Sequence, residues 1–446
     1  MSEHTQSESA NSPFRPDDPM RELLYDMYQA AVSTAHPSVC VPPHLPDIPE
    51  NGRLLIIGAG KAAAAMAVAT EQYYSEKPGF ERVSGFVTTR HGYALPTQRI
   101  EILEAGHPVP DSGSVDGAKR AAEFISSATE NDIVLCLISG GASALWSAPV
   151  DGVTFEAKQA LTKALLRSGA RISEMNCVRK HLSRIKGGRL AALAAPAKLI
   201  TLSISDVPGD SPDAIGSGPT VADATTLADA RAVLGRYGVE APPEITEALA
   251  NPQNETPKAS DPAFANTNYR IVAAPKASIE AAAKIAKQNG YRVEILGDAL
   301  EGEAREVAAE HAKRALEAKV KGDKLAILSG GELTVTVRGD GSGGPNQEYA
   351  LGLAIALDGA NGIVGVAGDT DGSDGGSGAS DDPAGAFVFE DTLTRATSAD
   401  LNAATFLENN DSTAFFKTIG DLILCGPTQT NVNDLRVVLV TPAQAE

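Results

Sequence analysis

The side chains best suited to chemistry in this sequence lie where short apolar runs end. Residues 54–61 read Leu-Leu-Ile-Ile-Gly58-Ala-Gly60-Lys61, a strand pattern that closes in a glycine turn with a lysine at a helix start. Helix N-terminal amides beside an ammonium make an anion site. Gly58, Gly60 and Ala63 also fit the G-x-G-x-x-A spacing of a dinucleotide turn, with plain helix packing as the structural alternative. The next strand pattern ends in Thr88-Thr89-Arg90, without the acid that would hold a ribose hydroxyl, and the P-loop spacing is absent. A second apolar run ends in Ser139-Gly140-Gly141-Ala142-Ser143, a simple turn or a cradle whose backbone donors hold phosphate oxygens. No serine of the chain occupies G-x-S-x-G, which argues against an α/β-hydrolase. A basic island follows, with Arg171, Arg179, Lys180, Arg184, Lys186 and Arg189 against the single acid Glu174. The i, i+4, i+8 spacing of Asn176, Lys180 and Arg184 puts them on one helix face, converging on an anion.

Carboxylates mark three further loops. Asp206 and Asp210 sit in Ser203-Ile-Ser-Asp-Val-Pro-Gly-Asp210, where a strand-end carboxylate can hold Mg²⁺ or accept a hydroxyl proton and an Asx turn is the plain alternative. Asn346 and Glu348 open a helix after the glycine-rich loop 339–344, and Asp369 and Asp371 follow an apolar run. The Asp369 loop begins like a calcium loop but has Asp374 at position six and Ser380 at position twelve, so Mg²⁺ held partly by substrate phosphates fits better. Seven histidines form no H-x-H or H-E-x-x-H pattern, which disfavours a transition-metal site and makes His107 and His181 structural residues or supports behind a site instead of ligands. The cysteines Cys40, Cys136, Cys177 and Cys425 never form Cys-x-x-Cys and read as reduced, buried thiols.

These loops need a scaffold of alternating strands and helices. Strand patterns at 54–57, 85–88, 100–104, 133–138 and 199–203 alternate with helical patterns at 61–74, 115–127, 155–166 and 173–185, the rhythm of a parallel sheet covered on both faces. An amphipathic helix at 20–35 precedes them. The polar, proline-bearing stretch 251–268 is the best boundary, after which strands and helices resume at 270–274, 278–288, 292–296, 303–318, 325–328, 333–337, 348–357 and 363–367. The strand at 436–440 can join either sheet. A length of 446 residues supports two domains. They are a Rossmann-like α/β domain at 19–260 and a second, mostly parallel α/β domain at 261–446, after a disordered start at 1–18. The net charge of −19 disfavours nucleic acid and anionic membrane as partners. No apolar stretch approaches the ~20 residues of a membrane span, and a polar start without a signal-peptide pattern points to the cytoplasm.

Taken in order, GAGK (58–61), GHPVPD (106–111), ISGGASAL (138–145), NCVRKHLSRIKGGRLA (176–191), SISDVPGD (203–210), IGSGPT (215–220), LSGGELTV (328–335), GGPNQEYAL (343–351), GDTDGSDG (368–375) and GPTQTNVNDL (426–435) resemble the glycerate 2-kinase family. Its C-terminal part is the MOFRL domain, and its members are often also labelled hydroxypyruvate reductase. The resemblance implies two α/β domains with the active site in the cleft between them, and phosphate transfer from MgATP to the 2-hydroxyl of D-glycerate. It implies Lys61 as the charge stabiliser at the moving phosphoryl group. Asp206 and Asp371 orient the hydroxyl or hold Mg²⁺, and Gly58, Gly60, Ser139, Gly140, Gly141, Asp210, Asn346 and Glu348 lie near ligand. Pro345 stands where many members have arginine, so Arg90, Lys180 or Arg184 supplies the missing cationic contact. The rival reading is an NAD(P)H-dependent hydroxypyruvate reductase built on the G-x-G-x-x-A turn; a non-catalytic sensor of sugar acids or nucleotides is a third. Small-molecule substrate and nucleotide are the expected partners, and a homodimer is compatible with all three.

Overall fold

A computed structural model describes residues 18–376, 379 and 381–442, so the expected disordered start, Asp18 apart, lies outside the described residues. The chain divides into two compact units. One comprises Ala35–Ala274 with Gln429–Val432; the other takes the segment ending at Thr34, Pro275–Thr428 and the segment from Asn433.

The first unit is built on six parallel strands, β1 (Leu54–Ala59), β2 (Val83–Arg90), β3 (Ile100–Ala105), β4 (Ile133–Ile138), β5 (Lys198–Ile204) and β6 (Thr267–Ala273), in the order β3-β2-β1-β4-β5-β6. Successive strand residues face opposite sides of a sheet, and here both sides are apolar. Leu55, Ile57, Val134 and Cys136 pack with Ala118, Ala121 and Leu190 on one face, while Leu54, Ile56, Leu135 and Leu137 pack with Ala63, Met66 and Ala67 on the other. Alanine-rich helices are what let the layers approach this closely. The strand patterns read from the sequence recur here within two residues at each end, apart from the opening three residues of β6.

Two expectations about the division of the chain are corrected. The stretch 251–268 is not a boundary, because β6 starts within it and adds to the sheet's edge. Polar and apolar contacts both tie it down: Glu255 accepts from the Leu227 amide at 3.1 Å and pairs with Lys258 at 2.7 Å, the buried Thr256 donates to Asp223 at 3.0 Å, and Phe264 packs against the core. The opening helix, Pro19–Ala35, belongs with the later unit, where Leu24, Met27, Tyr28 and Ala31 pack against Ile279, Phe387 and Val437. Tyr28 adds a hydrogen bond to the Asp369 carbonyl at 2.7 Å.

The second sheet contains β7 (Arg292–Gly297), β8 (Leu325–Ser329), β9 (Ile363–Asp369), β10 (Gly385–Val388), β11 (Leu422–Ile423) and β12 (Asp434–Val440), ordered β11-β10-β9-β12-β8-β7. It is mixed: β12 lies antiparallel between β8 and β9, and β10 is antiparallel to β9 and β11. The C-terminal strand therefore joins this sheet, near its middle. The alternating residues 333–337 do not form a strand, since a single bridge from Glu303 to Thr334 is all they pair with and Val337 is exposed. Burying Leu333 alone does not require an extended partner.

Candidate functional site

In an open α/β sheet, ligands bind at the carboxyl ends of the strands where the strand order reverses. In the first sheet that point lies between β1 and β4. The β1 turn can sit there only because its residues are glycine. A Cβ on Gly58 would lie 2.5 Å from the Leu137 carbonyl oxygen, and Gly60, at φ +143°, would drive a Cβ into Ser139. Hydrogen bonds then fasten the two loops: Lys61 N donates to Gly140 O at 2.8 Å, Ala62 N to Ser139 Oγ at 2.9 Å, and Ser139 N to Ala59 O at 3.1 Å. These amides are the donors a dinucleotide's pyrophosphate would require. They are occupied, so the G-x-G-x-x-A match is a latch between β1 and β4, and Gly58 and Gly60 serve packing instead of ligand contact.

What the latch presents is the partly exposed Lys61 side chain. A Cβ built on Gly141 would lie 3.3 Å from Lys61 Cγ and 2.8 Å from the His107 ring. A Cβ on Gly140 would collide with Asp206, whose Oδ2 accepts from Asn431 Nδ2 at 3.0 Å. Lys61, Ser139–Gly141, Asp206, His107 and Asn431 thus form one constellation. Asn431 was not singled out from the sequence: 225 positions separate it from Asp206, and only its place in the motif 426–435 hinted at it. Asp210 lies beyond the β5 turn at φ +52°, with a buried Oδ1 that lacks a hydrogen-bond partner among the described residues. Arg90 ends β2 with its guanidinium 4.6 Å from the Tyr93 ring centroid. No ion pair engages it among the described residues.

The basic island is arranged differently from the expectation. Its helix, Ile172–His181, stops before Arg184, so Asn176, Lys180 and Arg184 do not share a helix face. Lys180 is buried between Asp213 at 3.1 Å and Asp223 at 3.3 Å, tying down the loop that carries them. Arg184 is exposed and pairs with Asp151. The cations that do converge are Lys158, Arg179 and Lys186, which line a cavity of about 300 Å³ with Gly141, Ser143 and His107. Lys186 Nζ donates to Ser143 O and Oγ, both at 3.0 Å. Lys158 Nζ is buried without a hydrogen-bond partner among the described residues. Burial, with Arg179 nearby, lowers Lys158 to about 7, and burial holds Lys186 well below the usual lysine range. Lys158 escaped the sequence reading because a single lysine in an amphipathic helix looks like a solvated one.

In the second unit Asp371 is buried after β9; its amide donates to Asp369 Oδ1 and its Oδ1 accepts from Ser373 N, both at 2.9 Å. Asp374 accepts from the Asn346 and Gln347 amides at 2.9 and 2.8 Å, closing the N-terminus of helix Pro345–Leu357. Burial raises it to about 7. Asn346 donates to Asp434 at 2.7 Å, while Glu348 accepts from Arg305 at 2.7 Å and Asn410 at 2.9 Å. Both Glu348 oxygens are engaged in the interior, which corrects its expected place among ligand contacts. Pro345 supplies the pre-set φ of a first helical residue. No group of three or more His, Cys, Asp or Glu side chains able to hold a metal occurs among the described residues. Mg²⁺ held by one or two carboxylates and by substrate phosphates needs no such group, and Asp206 and Asp371 have the right donor chemistry. Among the described residues no helix is long and apolar enough to cross a membrane.

Two family models match the chain: Domain of unknown function (DUF4147) over residues 23–250, and the MOFRL family over residues 325–434. A protein of Agrobacterium vitis, provisionally named hydroxypyruvate reductase, is 50% identical across 94% of this chain and 94% of its own length. D-glycerate 2-kinase of Thermotoga maritima is 38% identical across 94% of this chain and 98% of its own. The crystal structure of glycerate kinase from Thermotoga maritima matches with a TM-score of 0.86 at 38% identity, covering 95% of this chain and 99% of that one.

Proposed function

The chain belongs to the glycerate kinase family, and from that premise we propose that it transfers the γ-phosphate of ATP to the 2-hydroxyl of D-glycerate, giving 2-phosphoglycerate and ADP. The glycerate O–H bond breaks, a bond forms between that oxygen and the γ-phosphorus, and the bridge to the β-phosphate breaks. Such a transfer asks the protein for alignment and for positive charge around the moving group. The observation that carries the reading is the latch of β1 and β4, which fixes Lys61 beside Gly141, with the Asp206 carboxylate after β5 lying close to Gly140.

Lys61 supplies charge to the transferred phosphoryl group. Asp206 or Asp371 orients the hydroxyl, accepts its proton, or holds Mg²⁺, which would neutralise phosphate charge when it arrives with ATP. Ser139–Gly141 and Asp210 line the approach, and Arg90, the expected cation that no acid among the described residues has taken, holds the glycerate carboxylate. A cytoplasmic setting suits four cysteines that form no disulfide. Lys61→Ala tests the assignment by ADP release from MgATP and D-glycerate. Its kcat is expected to fall by about 10²–10³ with an unchanged melting temperature, and near-normal turnover would remove Lys61 from the chemistry.

A further inference from the structure

The cavity beside Gly141 has two kinds of wall. Its floor holds Lys158 and Lys186, both almost fully buried, with Arg179 beside them. Its lip carries Val109 and Leu166, each 59% exposed although large and apolar. Burying an amine without a partner is costly, and Lys158 Nζ has none among the described residues. In a chain of charge −19 two buried amines beside a guanidinium form a site whose full positive charge is reached only against a multiply charged anion. One glycerate carboxylate can engage only part of that donor set, whereas a polyphosphate chain can engage all of it. Glycerate also leaves an apolar lip without purpose, whereas a flat base gains by covering it.

We propose that this cavity is the nucleotide subsite, in which Lys158, Arg179 and Lys186 bind the polyphosphate and Val109 and Leu166 receive the base. The assignment rests on the kinase reading. Gly141 lines the cavity and Lys61 packs beside Gly141, so a phosphate chain lying on the floor leads toward the lysine that would stabilise its transferred end. The charged or titratable groups that line the cavity are Lys158, Lys163, Arg179, Lys186 and His107, without a carboxylate. An arriving polyanion therefore draws a proton onto Lys158 when the pH lies above about 7.

Isothermal titration of the full chain with a non-hydrolysable ATP analogue, with inorganic tripolyphosphate and with D-glycerate tests this. Lys158→Met is expected to weaken the analogue and tripolyphosphate by about tenfold or more while leaving D-glycerate binding unchanged. Tripolyphosphate binding to the unaltered chain at pH 8 should take up protons, seen as heats that vary with buffer ionisation enthalpy, and Lys158→Met should abolish part of that uptake. Leu166→Asp should weaken the analogue and spare tripolyphosphate. Because it removes a buried unpaired amine, Lys158→Met should melt no lower than the parent, so lost binding is not lost folding. Weakened D-glycerate with unaltered nucleotide would make the cavity a carboxylate site and overturn the proposal, as would normal binding of all three. A parent chain that binds tripolyphosphate through Lys158 yet makes no 2-phosphoglycerate would sink the kinase reading and leave the anion site standing. An active kinase with unaltered nucleotide binding in Lys158→Met would do the reverse.

Discussion

At the scale of single residues, the decisive distinction is between charges that are matched inside the protein and charges that are not. Lys180, Lys158 and Glu348 are all buried, yet only Lys158 lacks a partner among the described residues. A lysine between two carboxylates is a structural clasp, and a buried carboxylate whose oxygens accept from Arg305 and Asn410 is another. Breaking such a pair strands the surviving charge. Glu348→Gln should therefore lower stability by about 3 kcal/mol, read by urea unfolding, with KM for ATP and D-glycerate unaltered; a raised KM at full stability would return Glu348 to the ligand contacts. Sequence singles out Lys61 and Asp206 as candidates because they stand at a glycine turn and a strand end. It could not separate Lys158 from a surface lysine or Lys180 from a ligand clamp, since the difference lies in which acids the fold brings near.

At the scale of elements, the strands were legible and their fastening was not. Unbroken apolar runs such as Ile133–Ile138 announce a sheet covered on both faces, whereas the alternating residues 333–337 make only the single bridge of Thr334 to Glu303. The helix face expected over 176–184 ended early because Leu182 leaves the helical conformation, a local event that periodicity does not register. The latch explains why glycine recurs after β1 and β4. Gly60→Ala must relieve both a forbidden backbone region and a collision with Ser139. A loss of about 2 kcal/mol or more is expected, together with lower kcat, because Lys61 would be displaced with the turn. If Gly60→Ala kept full stability and kcat, the two loops would not be fixing Lys61.

At the scale of the whole molecule, two α/β units were readable from length and from the alternation of patterns, but the route of the chain through them was not. The opening helix and the segment Gln429–Val432 each belong to the unit formed mainly by distant sequence. Amphipathicity shows that a helix must bury a face without showing which sheet receives it. Asn431 reaches Asp206 only through this routing. The occupied amides of the β1 turn bear on the activity of the whole protein as well, because they leave no ready dinucleotide cradle there and favour phosphoryl transfer over hydride transfer. The most direct measurement is phosphorus NMR of the product formed from MgATP and D-glycerate, run beside NAD(P)H oxidation with hydroxypyruvate. Glycerate 2-kinase activity gives 2-phosphoglycerate and no NAD(P)H oxidation. Phosphorylation at the 3-hydroxyl, or NAD(P)H consumption without ATP turnover, would contradict it.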